Sequence, residues 1–334
     1  MKIAINGFGR IGRTFFRAAW EKKLEIVAAN DLTDLKTLAH LLQYDSTYGK
    51  FNGKVEIRED ELVVDGKLVK VTAEKDPSKL PWRDLGVDIV VESTGVFTEY
   101  DKAYNHIKAG AKIVVISAPA KGEKPVKTFV MGVNEEDFNS KEDEVISMAS
   151  CTTNCLVPVA DVLQKEFGIE KSSMTTVHSL TMDQVLQDSP HKDLRRARSA
   201  LQSMIPTTTG ATKAASLVLP NLKDKMVGLS IRVPTATVSL IDYVALLAKE
   251  VTVQEVNEAF KKAAGDPKYD GALAVSDKPL VSSDYKSDPN AAIVDLLSTQ
   301  VVGGNLVKVI AWYDNEMGYS YRLAEFCKFI GERI

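Results

Sequence analysis

The stretch that most limits how this chain can fold stands at its beginning. Lys2-Ile3-Ala4-Ile5-Asn6 reads as a buried strand, Gly7-Phe8-Gly9-Arg10-Ile11-Gly12 follows at once, and a helical run continues from Arg13 through Trp20. Glycines in G-x-G-x-x-G spacing between strand and helix have separate tasks. The first permits the turn, the second lets a pyrophosphate approach the backbone, and the third lets the helix pack on the strand. The helix N-terminus, with its unpaired N–H groups, then suits the phosphates. Glu25 to Asn30 is a second strand, and Asp31 stands at its end, 19 residues after Gly12. A carboxylate there accepts hydrogen bonds from adenosine ribose hydroxyls and repels a 2′-phosphate. A plainer role, a turn or helix cap before Leu32, fits Asp31 less well beside the matching glycine loop.

Alternation continues. Asp34 to Tyr44 looks helical, and Val55 to Val71 holds short strands with a turn at Asp65-Gly66. Val87 to Glu92 is a buried strand ending in Ser93-Thr94-Gly95, a helix runs from about Glu99 to Ala109, and Lys112 to Ser117 is another strand. Small residues such as Thr94 and Ser117 at carboxyl ends of parallel strands fit a cofactor crevice. The pattern predicts an α/β fold with a doubly wound parallel (Rossmann) sheet over residues 1–150. Beyond it the texture changes. Strand-like runs lengthen at Met174 to Leu180, Met226 to Val233, Val238 to Ala248 and Leu306 to Asp314, and Thr252-Val253-Gln254-Glu255 is a capping box opening a helix to Ala264. These predict a second, α+β domain on a mostly antiparallel sheet, residues 151–315. A final helix covers Gly318 to Ile334.

The candidate nucleophile lies where the two textures meet. In Ser150-Cys151-Thr152-Thr153-Asn154-Cys155 a thiol precedes a helical run from Leu156 to Phe167, closed by Gly168. The N–H groups and dipole of a helix start favour thiolate. His178 follows 27 residues later in a strand-like run and is a candidate base, though its spacing alone suits a satisfied core histidine better; His40 and His106 show no partner pattern and read as structural. A basic cluster, Pro190 to Arg198, precedes Thr207-Thr208-Thr209-Gly210, and hydroxyls, backbone N–H groups and arginine together suit a phosphate. Arg232, ending an apolar strand, needs an anionic partner. A thiol, a base, a dinucleotide and anion sites together suggest covalent oxidation of an aldehyde. Of 334 residues, 42 are Lys or Arg and 45 Asp or Glu, a net charge of -3 that gives no basis for nucleic acid or an anionic membrane as main partner. Three cysteines make no disulfide framework, and Cys151 and Cys155 lack the partners of a zinc site, so no metal is expected. No signal peptide is expected before the first strand, and no apolar run reaches about 18 residues; the expectation is a cytoplasmic protein.

The chain closely resembles the phosphorylating glyceraldehyde-3-phosphate dehydrogenase family. The resemblance rests on Ile5-Asn-Gly-Phe-Gly-Arg-Ile-Gly12, Asn30-Asp-Leu32, Glu92-Ser-Thr-Gly95, Ser117-Ala-Pro119, the cysteine motif, Thr176-Val-His178, His191 to Arg196, Pro206 to Gly210, Arg232-Val-Pro-Thr235 and Trp312-Tyr-Asp-Asn-Glu316. It implies that Cys151 attacks the aldehyde of glyceraldehyde 3-phosphate, that His178 accepts the hydroxyl proton, that NAD is reduced, and that inorganic phosphate cleaves the thioester to give 1,3-bisphosphoglycerate. It further implies that Thr181 and Arg232 hold the substrate's phosphate, and that Ser150, Thr152, Arg196, Thr209 and Gly210 serve the attacking phosphate. For the cofactor it implies Arg10 and Ile11 at the pyrophosphate, Asp31 at the ribose, Lys75 at the adenine, Ser117 in the crevice, Asn315 on the carboxamide and Tyr319 beside the nicotinamide. The last helix, 316–334, would complete the first domain, and the assembly would be a homotetramer.

Three departures stand out. Leu180 replaces a frequent Tyr, Tyr48 a frequent His, and Ser189 a Leu common in strictly NAD-linked members. Asp31 predicts NAD preference, while Ser189 leaves NADP use open. The alternatives are erythrose-4-phosphate dehydrogenase and an NADP-linked or dual-cofactor gluconeogenic form. The Thr207 to Lys213 stretch and Lys192 look like the glycolytic branch.

Overall fold

The computed structural model describes residues 1–59 and 61–334. They divide into two compact units. The first comprises Met1–Phe129, Glu135–Ala149 and Leu323–Ile334, and the second Val130–Asn134 and Ser150–Arg322.

The first unit is built on a nine-stranded sheet. From one edge its strands run Lys127–Thr128, Val145–Ser147, Ile113–Ile116, Ile89–Glu92, Lys2–Asn6, Glu25–Asn30, Lys67–Thr72, Glu61–Val64 and Val55–Arg58. The first seven pair in parallel and the last two antiparallel. Ile89–Glu92 and Ile113–Ile116 are buried at every position, as expected of parallel strands covered on both faces. Lys2–Asn6 lies between Glu25–Asn30 and Ile89–Glu92, so the strand order reverses at its side and a crevice opens at the carboxyl ends. Two residues of the glycine turn are fixed by sterics. Gly7 has φ +91°, and a Cβ there would lie 2.7 Å from the Thr94 nitrogen. A Cβ on Gly12 would lie 2.1 Å from the Gly7 carbonyl oxygen. The helical run near 99–109 is two short pieces, Tyr100–Ala103 and Asn105–Lys108. The ladder tightens between them, where Ile107 and Lys108 N–H both reach Tyr104 O at 3.0 and 3.1 Å.

The second unit carries a seven-stranded mixed sheet in the order Ile205–Thr207, Met226–Arg232, Ile169–His178, Ser239–Leu247, Leu306–Tyr313, Ala292–Val302, Leu273–Ser276. Most neighbours are antiparallel; Ile169–His178 with Met226–Arg232, and Leu273–Ser276 with Ala292–Val302, are parallel. Ser239–Leu247 alternates buried and half-buried residues, so one face meets the core. Against that core lies the helix Cys151–Phe167, buried without interruption from Thr152 to Leu163, among Ile241, Tyr243, Phe260 and Tyr313. A helix buried on every side through this stretch packs inside the core, its Asp161 satisfied by Lys165 and Tyr269. It begins at Cys151, five residues before the apolar run suggests, because Ser150 caps it. Thr252 forms the expected capping box on Val253–Ala264. The long strand Ala292–Val302 is absent from the sequence reading. Its register shifts between Asp295 and Gln300, which breaks the alternation that announces a strand. The last helix is Met317–Gly331. No helix among the described residues is long and apolar enough to cross a membrane.

Because Gly12 faces backbone rather than a movable side chain, Gly12→Ala is expected to lower stability by about 1–3 kcal/mol, read as a fall in denaturation midpoint. An unchanged midpoint contradicts the packing described.

Candidate active site

Strand register helps assemble the candidate catalytic pair. His178 ends Ile169–His178 and lies opposite Arg232 in the parallel pairing with Met226–Arg232. Cys151 is the first residue of the buried helix, so its sulfur sits among the N–H groups that no intrahelical bond consumes. Cys151 Sγ lies 3.5 Å from His178 Nε2. Both sides of this pair are tied to one hydroxyl. The Tyr313 phenol, deeply buried, is 2.8 Å from Thr152 Oγ1 and 2.9 Å from Thr176 Oγ1, and Thr176 donates to Leu240 O at 3.0 Å. Thr152 adjoins Cys151, and Thr176 stands two residues before His178. Tyr313 thus links helix start to strand end.

The electrostatics keep the imidazole neutral. Burial, with Arg232 close by, pushes His178 down to about 3. Burial pushes the Cys151 thiol up, and Arg232 and the Thr152 contacts only partly offset it. His178 Nδ1 lies 2.7 Å from Ser179 O and 2.5 Å from Arg232 Nη1. When Nδ1–H donates to Ser179, Nε2 presents its lone pair to the thiol. When Arg232 donates into Nδ1, the proton sits on Nε2 and faces the sulfur. The ring therefore has a partner in either tautomer, as an acceptor and later donor of one proton requires.

Candidate anion-binding groups lie on the elements next to His178. Arg232 Nε is buried without a partner, which fits an anion that is not part of the chain. Met226–Arg232 also pairs with Ile205–Thr207, which leads to Thr209 and Gly210 at the start of the helix Ala211–Val218. Thr209 Oγ1 accepts from Ala211 N–H at 3.2 Å. Arg196 donates from Nε to Thr207 Oγ1 at 3.0 Å and from Nη1 to Asp183 at 2.6 Å. Asp183 also accepts from the Thr181 hydroxyl. The sequence reading missed Asp183, whose carboxylate bridges two of the expected anion-binding residues. Partial desolvation pushes it up, but Thr181, Arg232 and Arg196 hold it below the usual carboxylate range. Ser150 Oγ is occupied by Thr153, from whose N–H it accepts at 3.1 Å, and so acts first as a cap. Asn315 Oδ1 accepts from Ser179 Oγ and Ser239 Oγ, each at 2.9 Å, which fixes the amide and leaves its N–H₂ for a ligand. Tyr319 is buried on Met317–Gly331. Leu180 is half-buried, its N–H donating to Thr235 O at 3.1 Å.

The first unit holds a cleft of about 410 Å³ at the crevice, lined by Gly7, Gly9, Asp31, Lys75 and Thr94 among others. Asn6, Asn30, Leu32, Glu74, Val96 and Phe97 also line it, and the sequence reading gave none of them a role. A dinucleotide fits these residues on three counts. A Cβ on Gly9 would meet nothing within 4 Å, so this glycine leaves space that the fold does not use. The helix Arg10–Glu21 has no side-chain cap and no acid in its first turn, which leaves the N–H groups of Arg10 and Ile11 for phosphate. Asp31 accepts from Phe8 N–H at 2.8 Å and Thr33 N–H at 2.9 Å, so its carboxylate is held in place at the strand end. Arg10, Ile11 and Ser117 are not among the lining residues. The Arg10 guanidinium is bound to Asp45 and lies 5.6 Å over the Tyr48 ring, and Ser117 Oγ donates to Glu92 O at 3.0 Å. Among the described residues no group of three or more His, Cys, Asp or Glu is placed to hold a metal.

Residues 1–100 match the family described as glyceraldehyde 3-phosphate dehydrogenase, NAD binding domain, and residues 150–315 its C-terminal domain. Glyceraldehyde-3-phosphate dehydrogenase from Geobacillus stearothermophilus is 55% identical over 334 residues, covering 100% of this chain and 99% of the relative. Glyceraldehyde-3-phosphate dehydrogenase 1 of Bacillus subtilis (strain 168) is 56% identical over 335 residues, again covering 100% and 99%. The chain belongs to the glyceraldehyde-3-phosphate dehydrogenase family. A more distant bacterial member, from Borreliella burgdorferi, is 52% identical and covers 98% of the chain and 99% of its own length. The two matched segments of the family separate the glycine turn and Asp31 from the Cys151–His178 pair.

Two substitutions test the site. Gly9→Ala is expected to leave the denaturation midpoint nearly unchanged while raising the KM for NAD about tenfold or more, since the new methyl enters the space left for phosphate. An unaltered KM contradicts that assignment. In His178→Asn the Cys151 proton loses its acceptor while burial still holds the thiol high. Alkylation then relies on the small fraction of thiolate that solution pH alone supplies, with no Nε2 to take the proton during attack. Alkylation at about pH 6.5 should be about tenfold or more slower than in the parent and should climb steadily toward about pH 9. Equal rates at the lower pH contradict the pairing.

Proposed function

We propose that this protein is an NAD-dependent phosphorylating dehydrogenase of glyceraldehyde 3-phosphate, acting in glycolysis and gluconeogenesis. The observation that carries the reading is the 3.5 Å approach of Cys151 Sγ to His178 Nε2 beside the unpartnered Nε of Arg232. Cys151 adds to the aldehyde carbon as its proton passes to His178 Nε2, which returns that proton to the new alkoxide oxygen to give the hemithioacetal; as hydride leaves the carbon, the freed nitrogen accepts the hydroxyl proton. NAD, when bound, supplies the hydride acceptor. Gly7, Gly9, Arg10, Ile11, Asp31, Lys75, Thr94 and Ser117, with Asn315 and Tyr319, are assigned to hold it. The thioester left on Cys151 is opened by inorganic phosphate, releasing the acyl phosphate and restoring the thiol. Thr181 and Arg232 are assigned to the substrate's phosphate, and Ser150, Thr152, Arg196, Thr209 and Gly210 to the attacking one.

Arg232 couples these steps. An anion that draws it off Nδ1 leaves Ser179 O as that nitrogen's partner, and Nε2 then becomes the base. Asp183 competes for Thr181 and Arg196 and must yield when phosphate arrives. Asp31, held by two backbone N–H groups, supports NAD over NADP because a 2′-phosphate would meet a carboxylate that cannot swing aside. Self-association as a homotetramer is supported by apolar side chains in the segment after the active site, with Met182 86%, Leu194 83% and Met204 75% exposed. A cytoplasmic location follows from the same assignment.

The direct test follows reduced nicotinamide by absorbance with glyceraldehyde 3-phosphate, with and without phosphate, using NAD and NADP separately. Sustained turnover should require phosphate, and kcat/KM should favour NAD about tenfold or more. Phosphate-independent formation of the free acid, or a preference for NADP, overturns the reading. Cys151→Ser should abolish turnover while keeping NAD binding.

A further inference from the structure

Beneath the glycine turn lies a buried polar chain that the assigned chemistry does not use. Glu92 ends the strand Ile89–Glu92, and its side chain and that of His106 are fully buried, each 0% exposed. Trp82 Nε1–H donates to His106 Nδ1 at 3.0 Å. An indole nitrogen can only donate, so Nδ1 carries the lone pair and the ring proton sits on Nε2. Nε2–H then donates to Glu92 Oε2 at 3.1 Å. The same oxygen accepts from Asn6 Nδ2 at 2.6 Å. Glu92 Oε1 accepts from Thr94 N–H at 2.8 Å and from the Thr94 hydroxyl. Four donors thus fill the two oxygens of the Glu92 carboxylate, and the imidazole among them is neutral.

The output of this chain is a position. Glu92 pins Thr94, whose nitrogen would lie 2.7 Å from a Cβ on Gly7. It also pins Asn6, the residue before Gly7, whose Oδ1 accepts from Asn30 Nδ2 at 2.7 Å. Ser93 Oγ donates to Gly7 O at 2.7 Å and closes the contact. The glycine turn therefore rests on a surface whose placement is set from beneath. The geometry points to Trp82, His106 and Glu92 as a hydrogen-bond relay that positions the dinucleotide-binding turn through Thr94 and Asn6. None of the three touches the reacting atoms. They are positioning residues, and the inference rests on the reading that the crevice is the NAD site.

A relay of this kind should act on cofactor affinity and leave the chemical step alone. The test compares His106→Phe, which fills the space but donates nothing, with His106→Gln, whose amide restores a donor near Nε2. NAD affinity is read by quenching of protein fluorescence, together with KM for NAD, kcat at saturating NAD, and the rate of Cys151 alkylation without NAD. For His106→Phe the dissociation constant and KM should rise about fivefold or more, with kcat and alkylation within about twofold of the parent. His106→Gln should recover most of the affinity. Should His106→Phe not fold, Trp82→Phe carries the same comparison, since it removes only the indole donor and frees the ring to change tautomer; a raised KM with unchanged kcat is again expected. Unchanged affinity in a folded variant, or a Gln variant no better than the Phe variant, overturns the relay. If Gly9→Ala also leaves NAD affinity unchanged in a parent that binds NAD, the crevice assignment itself fails; if Gly9→Ala weakens binding and the relay variants do not, only the relay fails.

Discussion

Everything the second unit does depends on one non-bonded approach, the 3.5 Å between a sulfur and an imidazole nitrogen. Neither group would be useful alone in this setting. Burial raises the thiol and lowers the imidazole, so each resists the charge that the chemistry asks of it. Brought together, they can exchange a proton directly, and the helix start and Arg232 are at hand for the negative charge. The distance is not left to chance. Tyr313 holds the hydroxyls of Thr152 and Thr176, so the first turn of one element and the last turn of another move together. A residue in left-handed conformation, Ala149 at φ +51°, stands two positions before the nucleophile, a local cost of about 1–2 kcal/mol borne where the chain enters the active-site helix.

The first unit follows the same logic with different groups. Its glycine turn is fixed by backbone contacts at Gly7 and Gly12 and left open at Gly9. Below it, buried polar residues are satisfied among themselves, from Trp82 through His106 and Glu92 to Asn6 and Asn30. Such groups are costly to bury unless every donor and acceptor is matched, and once matched they allow one arrangement only. In both units, polar atoms hidden in the core set the geometry of those exposed to ligand.

Much of this was legible in the sequence, for identifiable reasons. The parallel sheet announced itself through continuous apolar runs and the glycine spacing, both local signals. Cys151 at a helix start and His178 in a strand suit structural roles equally well on local signals, and only the family motifs around them named the pair. What stayed hidden depended on pairing across the chain. The strand Ala292–Val302 lost its alternation to a register shift. His106 looked partnerless because its partners, Trp82 and Glu92, lie on other elements. Asp183 and Tyr313 gave no local sign that they would meet Thr181, Arg196, Thr152 and Thr176. The helix near residue 100 is periodic in sequence yet split in space, since a tightened turn at Tyr104 leaves no mark on composition.

The central claim is that an acyl group rests on one sulfur until phosphate removes it. Intact-mass spectrometry of the protein mixed with NAD and glyceraldehyde 3-phosphate, quenched in acid before phosphate is added, tests this most directly. The account predicts a single acyl adduct per chain, mapped by peptide analysis to Cys151 and discharged on addition of phosphate. An adduct on Cys155 or Cys327, or reduced nicotinamide formed with no adduct on any residue, contradicts it.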